Sequence, residues 1–113
     1  MMVWQLACQL RDSVLEITTS RGAADDPSFR DQLRRAARSV PANIAEGFGR
    51  YHRREFARFL RYARGSAHEV AAYVDELPRH RFCDPSRAEQ IAALCRRTSI
   101  ALVRLIRYLE NGK

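Results

Sequence analysis

Residues 56–77 read FARFLRYARGSAHEVAAYVDEL, and within them Phe56, Leu60, Ala63, Ala67, Val70, Val74 and Leu77 recur at alternating steps of four and three. That period belongs to an α-helix that buries one stripe of its surface, and no strand pattern competes with it. The stretch predicts a long amphipathic helix closed by Pro78. Gly65 inside it costs about 1 kcal/mol relative to alanine, so Gly65-Ser66 calls for a compensating contact. Either two helices of one bundle approach closely there, or a neighbouring subunit does.

The same period appears on both sides. Upstream, Phe29, Leu33, Ala37, Val40 and Ile44 carry a stripe across Pro41, which predicts one kinked helix, capped by Asp25 or Asp26 with Pro27 in its first turn and ended by Gly47 and Gly49. Before it, Val3, Ala7, Leu10, Val14 and Ile17 mark a helix over Val3–Thr19, and the Arg21–Pro27 stretch reads as a connection. Downstream, Ile91, Cys95, Thr98, Leu102, Leu105 and Leu109 define a last helix, started by Asp84-Pro85 or by a Ser86-x-x-Glu89 capping box and stopped by Asn111-Gly112. Four helices joined by short connections predict an all-α, antiparallel up-down-up-down four-helix bundle, with residues 1–113 forming a single domain.

The composition suits that fold. In 113 residues there are only 5 glycines and 4 prolines, and 46% are hydrophobic, enough for one core. Lys+Arg outnumber Asp+Glu by 20 to 13, a net charge of +7, which disfavours cationic ligands and favours an anionic partner or none. All of that excess lies in residues 30–64. Arg30, Arg34, Arg35, Arg38, Arg50, Arg53, Arg54, Arg58, Arg61 and Arg64 stand there against Asp31, Glu46 and Glu55.

Helical phase places Arg54, Arg58 and Arg61 opposite the Phe56/Leu60 stripe, facing outward, and Arg30, Arg34 and Arg38 beside the stripe of the second helix. Tyr51 and Tyr62 fall among them, away from the core. Guanidinium forks bind phosphate and rings stack on bases, so this surface is a candidate for RNA or DNA. The plainer reading is a charged face that solvates the bundle while its arginine stems cover apolar side chains.

Other chemistries find little support. There is no phosphate loop, G-x-S-x-G or H-E-x-x-H. Cys8, Cys83 and Cys95 are an odd set without CxxC spacing, which predicts reduced thiols and a cytoplasmic setting. Cys8 and Cys95 read as core fillers. His80 and Cys83 are too few ligands for a metal site, and no cofactor is implied. No export signal or membrane span is expected. Arg61 and His68, seven apart on one face, resemble the arginine–histidine spacing of helical ribonucleases from prokaryotic toxin systems, a pattern that arises easily in a chain so rich in arginine.

The stretch Ser39-Val40-Pro41-Ala42-Asn43-Ile44-Ala45-Glu46-Gly47-Phe48-Gly49-Arg50 resembles the four-helix-bundle proteins encoded by intervening sequences inside bacterial 23S ribosomal RNA genes. Val3-Trp4-Gln5, Gln32-Leu33-Arg34-Arg35-Ala36, Glu55-Phe56, Phe59-Leu60 and Ala63-x-Gly65-Ser66-x-x-Glu69 extend the resemblance over residues 3–77. It implies a small bundle assembled as a homo-oligomer, commonly a ring of five, with no established catalytic activity. The related accessory variability proteins of diversity-generating retroelements share the architecture and bind nucleic acid and a reverse transcriptase. This chain looks closer to the ribosomal branch, so that enzyme partner is not carried over. Family members often have Ser or Thr where His52 stands, which leaves the start of the third helix with a weaker cap, and the Arg30–Arg64 window is more basic than the pattern requires.

Within the motif, Pro41, Asn43, Glu46 and Gly47 read as structural, as do Gly65 and Ser66. Glu46 is expected to orient Arg34, Arg35 or Arg50, and Asn43 to satisfy backbone freed by Pro41. The leading expectation is a non-enzymatic nucleic-acid-binding protein. Its rival is a scaffold whose arginine rows meet acidic groups of a protein partner.

Overall fold

A computed structural model describes residues 1–19, 26–80 and 82–112, the side chains of 78–80 excepted. It consists of α1 (Met2–Thr18), α2 (Pro27–Phe48), α3 (Arg53–His80) and α4 (Pro85–Asn111). The helices form an antiparallel up-down-up-down bundle of 45 × 22 × 18 Å. Its long axis matches α3, whose 28 residues at 1.5 Å each span about 42 Å. Helix α1 packs on α2 and α4, and α3 packs on the same two from the opposite corner.

The starts of α2 and α4 share one device. Asp26 accepts a hydrogen bond from the Phe29 amide at 3.2 Å and Asp84 from the Arg87 amide at 2.8 Å, each followed by a proline in the first turn. An aspartate acceptor relieves an orphan amide, and proline has no amide to orphan. Asp84, rather than the Ser86-x-x-Glu89 box, therefore starts α4. Gly112 ends it in the left-handed conformation at φ 71°. The expected Arg21–Asp25 connection lies outside the described residues.

One expected boundary shifts. Helix α2 continues as a single helix through Pro41, as expected, but α3 runs past Pro78 to His80. Proline removes its own amide bond, but later residues still donate to carbonyls before it, so a helix near its end is not obliged to stop there. At its other end α3 begins at Arg53, with the Phe56 amide bonded to the His52 carbonyl at 2.8 Å.

The predicted stripes supply the core. Leu10 and Val14 of α1, Leu33, Val40 and Ile44 of α2, Leu60, Val70 and Leu77 of α3, and Ile91, Cys95 and Leu102 of α4 are all buried. Phe29, Phe56, Leu105 and Leu109 pack at its margin. In α4 the buried position moves from the expected Leu105 to Ile106. A straight helix turns every 3.6 residues, so a stripe counted at 3.5 drifts by one position over several turns.

Helices α2 and α3 meet most closely at Gly47. A Cβ there would stand 2.7 Å from the Phe59 Cβ and 3.1 Å from the Phe56 ring. Gly65 is the reverse: it is exposed, and a Cβ would meet nothing within 4 Å. The close approach inside the bundle expected at Gly65-Ser66 is thus made by Ser66 and by Gly47, while Gly65 faces open space. No described helix is long and apolar enough to cross a membrane.

Candidate nucleic-acid interface

The α2–α3 connection places the basic window on two adjoining helices. After Phe48 the chain turns through Gly49, Arg50, Tyr51 and His52. The Arg50 amide bonds to the Gly47 carbonyl at 3.2 Å, and Tyr51 takes a positive φ of 55°. A bulky residue is strained in that region. The Tyr51 side chain projects outward and is 91% exposed.

Arg54, Arg58 and Arg61 are exposed on the outward side of α3, as phase predicts. Arg58 Nη2 donates to Glu55 Oε2 at 2.8 Å and Nη1 donates to the Tyr62 hydroxyl at 3.2 Å. The hydrogen bond from Arg58 holds the Glu55 carboxyl below the usual carboxylate range, and the same bond raises the Arg58 guanidinium. Arg61 pairs with Glu110 of α4. Arg54 makes no ion pair or hydrogen bond through its side chain with a described residue, and neither do Arg38 and Arg64.

The remaining arginines fall into distinct settings. Arg50 binds Glu46 Oε1 through Nε at 3.1 Å and Nη2 at 2.7 Å, so the carboxylate orients Arg50, whereas Arg35 pairs with Glu69 across the α2–α3 seam at 3.2 Å. Arg30 pairs with Asp31. Arg34 Nε is buried with no acceptor among the described residues. Arg53 donates through Nη2 to the Tyr108 carbonyl at 2.9 Å and through Nε to the Leu109 carbonyl at 3.2 Å, and lies over the Tyr108 ring. It adds a side-chain donor to two carbonyls in the last turn of α4, that of Tyr108 also accepting from the Gly112 amide at 2.8 Å, a structural duty that the sequence reading had not assigned to it.

The twelve predicted residues do not make one patch. On α2, Gln32 and Ser39 face α3, through hydrogen bonds to Tyr73 at 2.7 Å and to Ser66 at 2.6 Å. Arg30, Arg34 and Arg38 lie roughly 100–180° around the helix from those contacts, on the flank towards α1. The α3 row forms a second surface with Tyr62, and Arg50 and Arg58 both lie over the Phe59 ring, at 5.1 and 4.9 Å. Such stacking, with the hydrogen bonds to Glu46, Glu55 and Tyr62 at their edges, holds both guanidinium planes in place.

Asn43 acts within its own turn, but not as expected. Its Nδ2 donates to the Ser39 carbonyl at 2.8 Å and the Ser39 hydroxyl at 3.1 Å. The carbonyl that Pro41 leaves without a helical donor belongs to Ala37, four residues back, so Asn43 does not replace that bond.

Reading by sequence window missed Arg104 and Arg107. Both are exposed near the end of α4, and neither has a described partner. Antiparallel order brings this end of α4 beside the start of α3, as the Arg53–Tyr108 contact shows. Connection lengths held that signal; a count along the chain did not.

Other candidate groups stay apart. Arg61 and His68 are separated by roughly 10 Å along α3, and His68 lines a shallow α3–α4 groove with Ala71, Cys95, Arg96, Ser99 and Ile100. The His80 side chain, and with it the His80/Cys83 pair, lies outside the described residues. Among those residues no group of three or more His, Cys, Asp or Glu could hold a metal ion. Cys8, Cys83 and Cys95 are free thiols; burial pushes Cys83 up and Cys95 up to about 12.

Fold and surface together define a small, arginine-rich four-helix-bundle protein. The family model described as 23S rRNA-intervening sequence protein matches residues 1–104. The chain belongs to that family. Among solved structures it resembles a protein of unknown function from the S23 ribosomal protein family of Bacteroides thetaiotaomicron, with a TM-score of 0.82 at 18% identity, covering 93% of this chain and 98% of that one. At that identity the likeness concerns the fold. No curated protein matches.

Proposed function

We propose that this chain is a non-enzymatic, oligomeric protein that binds nucleic acid, RNA above DNA, through the arginines of α2 and α3. The observation that carries the reading is the outward row of α3: Arg54, Arg58 and Arg61 are exposed together, Arg54 and nearby Arg64 have no acidic partner among the described residues, and the window around them holds the whole net charge. From Arg54 to Arg64 the helix rises about 15 Å, about four phosphate steps of one strand. The clefts among the described residues lie open to solvent, which suits a polyanion better than a small substrate. Free thiols fit a cytoplasmic setting.

The separation of Arg61 from His68 and the pairing of Arg61 with Glu110 favour binding over ribonuclease chemistry. Assembly draws support from Gly65, a helix-weakening residue with open space before it on the surface and no close neighbour among the described residues. The same observation supports a second reading, a protein assembly scaffold with no nucleic acid ligand. The family resemblance suggests a ring of five.

Binding to RNA should weaken with salt, with log K against log salt sloping near −3 to −4 for about four phosphates. Replacing Arg54, Arg58 and Arg61 should flatten that slope without unfolding the bundle. A flat dependence in the wild type, or no binding at low salt, overturns the proposal. Capture of partners from lysate with and without nuclease treatment separates it from the scaffold.

A further inference from the structure

One end of the bundle gathers exposed rings. Antiparallel order brings together the start of α1, the α2–α3 turn and the end of α4, and six of the eight large apolar side chains exposed among the described residues stand there: Met1, Met2, Trp4, Phe48, Tyr51 and Tyr108. The opposite end, where α1 leads to α2 and α3 to α4, has none of the eight. Between the α2–α3 turn and the last turn of α4 lies a cleft of about 740 Å³ lined by Tyr51, His52, Arg53, Arg54, Leu109 and Glu110.

Tyr51 is the residue that the fold does not explain. It takes a backbone conformation unfavourable to a bulky side chain, its ring is almost wholly in solvent, and it makes no ring or cation contact with a described residue. Beside it Arg54 presents a guanidinium with no partner among the described residues. The two carboxylates nearby are engaged, Glu55 by Arg58 and Glu110 by Arg61. An unoccupied π-face and a free cation therefore share one cleft.

We infer that the nucleic acid bound by this protein is single-stranded, with an unpaired base stacked on Tyr51 in the cleft at the α2–α3 turn and its phosphates led along Arg54 and Arg58. This rests on the nucleic-acid reading above and narrows it. A duplex keeps its base faces stacked inside and offers phosphates alone, so exposed rings add nothing to its binding. An unpaired nucleotide offers both a face and a phosphate, and stacking on aromatic rings tolerates any base.

Fluorescence anisotropy of the full chain with labelled rU12, and with the same strand annealed to rA12, tests this at fixed low salt. Wild type is expected to bind the single strand more tightly. Tyr51→Gly, which suits the positive φ and removes the ring, should lower single-strand affinity by roughly 5- to 150-fold, the range for one base–ring stack, and abolish the preference over duplex. Tyr51→Phe should keep both, which assigns the effect to the ring rather than its hydroxyl, and an unchanged duplex affinity in Tyr51→Gly excludes a general effect of changing the turn. Equal affinity for both forms in the wild type, or an unchanged preference in Tyr51→Gly, overturns the single-strand inference and leaves the broader proposal standing. Binding to neither form overturns the broader proposal as well.

Discussion

The hydroxyls of Ser39 and Ser66 lie 2.6 Å apart across the α2–α3 seam, and Asn43 Nδ2 donates to the Ser39 hydroxyl from the next turn. Three polar groups thus bridge two helices at a half-buried point, each with a partner, so none carries the cost of an unpaired group.

Ser66→Ala should lower stability by about 1 kcal/mol, because one neutral hydrogen bond is lost while Ser39 keeps Asn43. Ser66→Leu should cost more, about 1–3 kcal/mol, by wedging the helices apart. Urea midpoints at constant slope measure both. Equal midpoints for wild type and Ser66→Ala would show that the bridge contributes nothing net.

The two glycines of α2 and α3 should respond in opposite directions. Gly47→Ala places a methyl 2.7 Å from the Phe59 Cβ and should destabilise by about 1–3 kcal/mol. Gly65→Ala adds a methyl in open space and should stabilise the isolated chain by up to about 1 kcal/mol. Thermal melts compare the two. If Gly65→Ala raises Tm while light scattering shows smaller assemblies, Gly65 belongs to a subunit contact.

Neighbouring arginines should separate stability from binding. Arg53→Ala removes the hydrogen bonds to the Tyr108 and Leu109 carbonyls and should cost about 1 kcal/mol. Arg54→Ala touches no described partner and should leave stability within about 0.5 kcal/mol, while reducing the magnitude of the salt slope for nucleic acid by about one. Denaturation and salt titration of both variants check the contrast.

Cys95 ties stability to alkaline pH. Burial raises its thiol from the ordinary value of 9.0 to about 12, so above pH 9 the unfolded chain loses a proton that the folded chain keeps. Stability contributed by this group is complete below pH 9 and falls as pH rises towards 12. Cys95→Ala should remove that component of the slope, and iodoacetamide at pH 8 should label Cys95 only after denaturant is added.

Much of the fold was legible because it rests on local rules. Asp26-Pro27 and Asp84-Pro85 announce helix starts in adjacent residues, and the Phe56–Leu77 stripe announces a buried face. Pro78 misled because a proline near a helix end removes one bond without ending the others. Gly65 misled because sequence shows that a glycine weakens a helix but not whether another chain segment lies before it. The candidate surface was half legible. Phase placed Arg54, Arg58 and Arg61 outward, but the partners of Arg53 and Arg61 lie 55 or 56 and 49 residues further along the chain. No local rule reaches that far, and Arg104 and Arg107 were missed for the same reason.

Those distant partners set an order of completion during synthesis. Arg53 and Arg61 leave the ribosome about fifty residues before Tyr108, Leu109 and Glu110, and until the last turn of α4 arrives their guanidinium groups have nothing to hold. Until α4 folds back onto α3, Arg61 therefore stands without the Glu110 carboxylate that neutralises it in the finished bundle.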